Sequence, residues 1–162
     1  MTLEAPFDSR AFRDALGCFA TGITVVTTLA PDGAPVGVTM NSFSSVSLDP
    51  PLVQVCLARD SNALEAFTAA PVFVVNILAE NQAELSVRFS QRGLIDRWAG
   101  LAVDHWDTGV PVLPGCLANL ECDREALYDG GDHVIMLGRV RQIASKPGRP
   151  LLYFRGNYAQ LS

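Results

Sequence analysis

Apolar positions along the chain fall into short blocks separated by turn-forming residues. Phe12, Ala15, Leu16 and Phe19 recur at helical spacing and Ser9 stands where a cap belongs, which predicts a short first helix. Gly17, Thr21 and Gly22 then break the pattern. The block from Ile23 to Leu29 is rich in β-branched residues and predicts a strand. Pro31-Asp32-Gly33 is a turn signal, so Ala34 to Thr39 is expected to return as a hairpin partner. Asp49-Pro50-Pro51 punctuates again before the apolar run Leu52 to Leu57, a buried strand. Ser61 or Asn62 can cap a short helix through Phe67, and Pro71 precedes another strand, Val72 to Leu78. Asn81, with Glu84 three residues on, opens a helix through about Phe89 in the manner of a capping box.

The last third is the clearest strand text. Cys116, Ala118, Leu120 and Cys122 alternate with Asn119, Glu121 and Asp123, which predicts a half-buried strand with one wet face. Gly130-Gly131 turns the chain into Val134 to Ile143, and Leu151 to Phe154 is expected as a final strand. Strands dominate and follow one another as hairpin neighbours, without strand–helix alternation. The expected fold is therefore mainly β, an antiparallel barrel with a few short helices, and a doubly wound parallel sheet fits poorly. No repeat or linker divides residues 1–162, so a single domain is expected, with Arg88 to Val112 as a candidate insertion or flap.

Composition narrows this further. The chain has 162 residues, 49% apolar and 18% charged, which excludes a disordered chain. No apolar run approaches the ~18 residues of a membrane span. The N-terminus lacks a basic region followed by an apolar core, so no secretory signal is expected. A net charge of −5 argues against nucleic acid or an anionic membrane as the main partner. Cys18, Cys56, Cys116 and Cys122 form no C-x-x-C pair, and the only histidines are His105 and His133. Reduced thiols in a cytoplasmic protein, with no metal site, are the expected reading.

No G-x-G-x-x-G, G-x-x-x-x-G-K-[ST] or G-x-S-x-G motif occurs. Asp132 and His133 are neighbours. Residues adjacent on a strand point to opposite faces, so this pair is not expected to form the Asp–His bond of a hydrolytic triad. Four clusters remain, each with a structural and a functional reading. Thr39 to Ser47 holds many short hydroxyl and amide side chains, suited to satisfying its own loop or to meeting a polar ring edge, ribityl chain or phosphate. Arg59-Asp60-Ser61-Asn62 follows a buried strand at a helix start, where an anion can sit. Gly130-Gly131-Asp132-His133 is a hairpin turn with one polar ring at its mouth. Tyr153 to Tyr158 places aromatics around Arg155, able to stack on a planar ligand or to close a barrel end.

The order of these features resembles the short flavin reductases, the reductase components of two-component flavin-dependent monooxygenases. The matching text includes FRDALGCFATGITVVTT from Phe12, GVTMNSFSSVSLDPPLVQVCL from Gly37, VPVLPGCLANLEC from Val110, GGDHVIMLGRV from Gly130 and PLLYFRGNY from Pro150. The resemblance implies an FMN-binding split barrel and a homodimer. It implies oxidation of NADH, or of NADPH, with FMN or FAD as acceptor, and reduced flavin diffusing to a partner monooxygenase. The alternative is a flavin-binding electron-transfer module of the same fold without its own NAD(P)H site. Residue by residue, Met40, Asn41, Ser42 and Phe43 would line the flavin ring and ribityl chain, and Cys56, Leu57 and Ala58 would run along the ring. Ser61 and Asn62, helped by Arg59, would hold the phosphate, with Arg92 as a second cation. Phe89 and Ser90 would lie near the flavin tail. His133 would orient the nicotinamide, and Phe154, Arg155 and Tyr158 would close the pocket.

Overall fold

The computed structural model describes residues 7–93 and 96–162. Helix α1 (Ser9–Gly17) is followed by β1 (Thr21–Gly22), β2 (Thr24–Leu29), β3 (Pro35–Met40), β4 (Ser44–Leu48) and β5 (Pro51–Ala58). Then come α2 (Leu64–Ala69), β6 (Val72–Ile77), a 3-10 turn (Glu80–Gln82) and α3 (Ala83–Ser90). The chain ends with β7 (Asp104–His105), β8 (Pro111–Val112), the long pair β9 (Ala118–Gly130) and β10 (His133–Ser145), and β11 (Leu152–Phe154) and β12 (Asn157–Ala159). Seven strands form one antiparallel sheet in the order β3-β2-β6-β9-β10-β5-β4. The sheet curls until β3 and β5 approach each other, and there the ladder stops. Ser42, just past β3, bridges the gap by side chain: its Oγ accepts from Cys56 N at 2.9 Å and donates to Cys56 O at 3.0 Å. This is a split antiparallel barrel: the hairpin order predicts the antiparallel barrel, and the resemblance implies the split.

One apolar cluster fills the barrel, with Val26, Val55, Phe73 and Met136 inside and Phe67 of α2 against it. A second lies outside β2, where Val25, Leu78, Phe89 and Leu113 pack with Trp98. Strand β2 is therefore buried on both faces. Its threonines stay satisfied because each hydroxyl finds a carbonyl: Thr24 donates to Met40 O at 2.8 Å, Thr27 to Pro111 O at 2.6 Å and Thr28 to Val72 O at 2.8 Å.

The outer layer corrects two expectations. Asn119 and Glu121 do not face water; they are 9% and 0% exposed. The segment around β7 and β8 lies across that face of β6 and β9. Asn76 Oδ1 accepts from Leu113 N at 2.9 Å and from Asn119 Nδ2 at 2.8 Å, while Thr108 Oγ1 donates to the Glu121 carboxylate. The described part of the Arg88–Val112 stretch is thus a packed layer, with Val110 and Val112 buried, and not a flap.

Helix starts also differ. Asp8 Oδ1, not Ser9, caps α1 by accepting from Arg10 N and Ala11 N. The chain around Ser61 forms a turn before α2, in which Ser61 Oγ accepts from Ala63 N at 3.3 Å. Gln82 Oε1, and not an Asn81–Glu84 box, caps the turn before α3 by accepting from Ala79 N. Among the described residues the apolar stripe of α1 is left open: Phe12 and Leu16, and Phe19 just beyond the helix, are exposed. Among the described residues no helix is long and apolar enough to cross a membrane.

Candidate functional site

The split between β3 and β5 opens into a cleft of about 380 Å³, within the range of small-molecule sites. Met40, Asn41 and Ser42 form one wall and Cys56, Leu57 and Ala58 the other. Ser61, Asn62, Ser90 and His133 complete the lining named by the sequence. β4 pairs with β5 only as far as Gln54, so the last residues of β5 present an unladdered edge. Cys56 directs its N–H and C=O at Ser42, so strand alternation turns the Ala58 groups to the same side. Ala58 O accepts from Ser61 N at 3.0 Å, and the Ala58 N–H faces the cleft. A main-chain donor beside the apolar edges of Met40 and Leu57 suits a flat ring with a polar rim, so the residues present fit a flavin.

His133 sits opposite Ala58 in the β10–β5 register. Its Nδ1 lies 2.7 Å from Asp132 Oδ1, contrary to the expectation for strand neighbours. The reason is local: Asp132 belongs to the hairpin turn and precedes the strand, so the strand's alternation does not bind its side chain. The hydrogen bond from His133, reinforced by its charge, holds the Asp132 carboxyl below the usual carboxylate range. Burial pushes the Cys56 thiol up, a poor setting for a nucleophile.

Several named residues act elsewhere. Phe43 packs against the barrel core. Arg59 is turned to the β9–β10 turn, where Nε donates to Gly131 O at 2.8 Å and Nη2 pairs with Asp129, so it does not line the cleft. Arg92 does line it, paired with Asp60 at 2.9 Å, and Arg97 joins it while donating to Gly37 O at 3.1 Å. Arg97 escaped the sequence reading because it lies in an irregular connection with no pattern around it. Phe89 borders the cleft, but its ring is core, edge-on to Trp98 with centroids 4.9 Å apart. A Cβ at Gly37 would stand 2.7 Å from that ring, so only glycine lets β3 pass. Ser90 Oγ donates back to Val87 O.

The C-terminal aromatics form a hairpin that the sequence reading ended one strand early. Tyr158 donates to Ser86 Oγ at 2.8 Å and lines a smaller adjoining cleft of about 220 Å³. Arg155 lines a trench of about 870 Å³ beside α1. Phe154 lies under the Arg155 guanidinium, 5.3 Å from its carbon, and lines none of these three spaces. Asn41 borders all three. Among the described residues no cluster of three or more His, Cys, Asp or Glu could hold a metal ion.

A family model described as a flavin reductase like domain matches residues 16–162. The chain belongs to this family. This flavin reductase-like chain is 46% identical over 155 residues to "FMN reductase (NADH) SmoA" of Agrobacterium fabrum, covering 96% of its own length and 87% of that protein. It is 42% identical over 152 residues to HsaB of Rhodococcus jostii, the reductase subunit of a flavin-dependent monooxygenase, covering 93% of itself and 77% of that subunit. The NADH:FAD oxidoreductase SgcE6 of Streptomyces globisporus, solved in complex with NAD and FAD fragments, shares the fold. Its TM-score is 0.90 at 35% identity, with 100% of this chain and 98% of that one covered.

Proposed function

We propose that this protein is an NADH-dependent flavin reductase that releases reduced FMN or FAD to a separate flavin-dependent monooxygenase. The observation that carries this reading is the cleft at the barrel split, where an unladdered strand edge, Asn41 and His133 line one largely polar space with Ser61, Asn62 and Arg92. Of the relatives named above, one is named an NADH-dependent FMN reductase, one an NADH:FAD oxidoreductase and one the reductase subunit of a flavin-dependent monooxygenase. When bound, the flavin supplies the redox chemistry, taking hydride from the nicotinamide.

The protein's own part is positional. Met40 and Leu57 are buried in the barrel core, so a flavin ring would lie along the strand backbone of Cys56, Leu57 and Ala58, where the nicotinamide could stack on it. The Ala58 N–H and the Asn41 amide would be the donors for the polar rim of a bound ring, where negative charge grows on reduction. Ser42 shapes that strand edge by holding Cys56. Ser61 and Asn62 line the end of the cleft nearest Arg92, where a phosphate is matched by a cation. His133, held by Asp132, orients the nicotinamide and takes no covalent role. An open cleft without a covalent anchor suits a flavin that leaves after reduction.

The exposed Phe12 and Leu16 of α1, with Phe19 just past it, support a homodimer, since a stripe of large apolar side chains is usually covered by a partner surface. Four free thiols, two of them buried, suit the reducing cytoplasm. The function is tested by following NADH consumption with FMN, with FAD and with neither. Consumption that requires flavin supports the reading; no acceleration by either flavin refutes it.

A further inference from the structure

Three charged side chains line the barrel-split cleft beside His133: Asp60, Arg92 and Arg97. The two arginines suit a phosphate, and the carboxylate opposes one. Arg97 is engaged by main-chain carbonyls, donating to Gly37 O at 3.1 Å and to Gln91 O. Arg59, the residue before Asp60, is turned out of the cleft to Gly131 O and Asp129. Arg92 instead donates from Nη2 to Asp60 Oδ2 at 2.9 Å, a side chain that can move away. We propose that Asp60 is a built-in competitor of the flavin phosphate for Arg92, which keeps flavin binding weak enough for the reduced product to leave. The inference rests on the reading above that FMN or FAD binds in this cleft and is released, and it names the residue that sets the strength of that grip.

The placement of the pair suits this role. Asp60 stands in the turn after β5, one wall of the cleft, and Arg92 stands just past α3. Helix α3 lies against β3, where Phe89 meets Gly37, so the ion pair reaches across the cleft from one side to the other. The side chains are 79% and 66% exposed, and an exposed ion pair parts at little cost. A phosphate monoester brings about two negative charges at neutral pH. It accepts from a guanidinium as a carboxylate does. When it enters beside Ser61 and Asn62, Arg92 either turns from Asp60 and leaves a carboxylate next to the phosphate, or divides its donors between the two anions. Both outcomes subtract from the phosphate's gain. An asparagine at position 60 would accept the same hydrogen bond without the charge. The phosphate is remote from hydride transfer and is the same in oxidised and reduced flavin. Asp60 therefore weakens substrate and product alike, which raises the KM for flavin without altering the chemical step. Weaker binding of the product shows mainly as faster departure.

The test compares FMN with riboflavin, which has the same ring and ribityl chain and no phosphate. Flavin fluorescence titration of the whole protein gives both affinities. Asp60→Asn is expected to bind FMN about tenfold more tightly than wild type, and to bind riboflavin as wild type does. Arg92→Gln is expected to weaken FMN about tenfold, again without moving riboflavin. With both substitutions together, the gain from removing the carboxylate is expected to shrink to about threefold or less, because the group competed for is gone. Dissociation of reduced FMN on anaerobic dilution is expected to slow about tenfold in Asp60→Asn. A merely structural role for Asp60 would neither tighten FMN nor divide it from riboflavin. The inference is overturned if Asp60→Asn binds FMN no more tightly than wild type, if riboflavin gains equally, or if the gain persists in full without Arg92. NADH oxidation with FMN separates the two claims. Its absence alongside tighter FMN binding in Asp60→Asn refutes the reductase reading alone, and its presence with unchanged FMN affinity in Asp60→Asn refutes the role of Asp60 alone.

Discussion

Ser42 Oγ makes two hydrogen bonds to one residue, accepting from Cys56 N at 2.9 Å and donating to Cys56 O at 3.0 Å. A single hydroxyl thereby stands in for a rung of ladder between β3 and β5. It bridges the split at Cys56 and leaves the next main-chain donor on that side, the Ala58 N–H, outside any ladder, while Ala58 O accepts from Ser61 N. The hydroxyl that the sequence offers as a ligand contact is a hinge pin for the site's wall.

Replacing Ser42 by Ala leaves the Cys56 N–H and C=O without their partner at a half-buried position. The expected loss of stability is about 1–3 kcal/mol, read by urea denaturation. Flavin affinity is expected to fall with it, because the Cys56–Ala58 edge loses its anchor. Unchanged stability and affinity would show that the pin is dispensable.

The hairpins were legible in the sequence because their signals are local. Pro31-Asp32-Gly33 between two apolar runs dictates the β2–β3 turn, and Gly130-Gly131 the β9–β10 turn. The cleft's two walls were legible as the text that resembles a family. What escaped depends on distant chain. Asn119 and Glu121 read as a wet face because nothing near them announces that Thr108 and Leu113 will cover them. Arg59 read as a phosphate ligand because the turn carbonyl and Asp129 that engage it lie some seventy residues away. The Asp132–His133 bond is not legible because strand alternation begins at His133 and leaves the Asp132 side chain free in the turn.

Burial raises the Cys116 thiol to about 11 and the Cys122 thiol to about 12, both from an ordinary 9.0. Below pH 9 the thiols are neutral in both folded and unfolded chains and cost nothing. Above it the unfolded chain loses protons that the folded chain keeps, so stability falls as pH rises. The expected slope is about 1.4 kcal/mol per pH unit for each thiol, from pH 9 up to the raised value. Denaturation midpoints across this range check it, and Cys116→Ala with Cys122→Ala is expected to flatten the alkaline limb. An equally steep limb in the double variant would contradict the assignment.

His133→Ala is expected to return the Asp132 carboxyl to the ordinary carboxylate range, because the hydrogen bond and charge that lower it are gone. Carboxyl carbon NMR titration reads this directly. In wild type the pairing persists above the ordinary range and is lost as pH falls through the lowered value. The same variant is expected to slow NADH-dependent flavin reduction tenfold or more while changing flavin affinity less. An unchanged reduction rate would remove His133 from the site.

If α1 meets a second subunit, charge on its apolar stripe will break the pair. Phe12→Glu combined with Phe19→Glu is expected to convert a dimer into a monomer in sedimentation, at little cost to the monomer's fold, since both side chains are exposed within the chain. A variant that sediments as wild type would place the seam elsewhere.

Asn41 is exposed and borders every space in which ligand is placed, so Asn41→Leu alters the site without touching the core. Anaerobic mixing of enzyme, flavin and NADH, with the loss of the flavin's visible absorbance followed in time, tests the central claim most directly. Wild type is expected to bleach the flavin rapidly and Asn41→Leu at least tenfold more slowly. Bleaching at the same rate in both proteins, or none in wild type, would contradict the placement of flavin reduction in the barrel-split cleft.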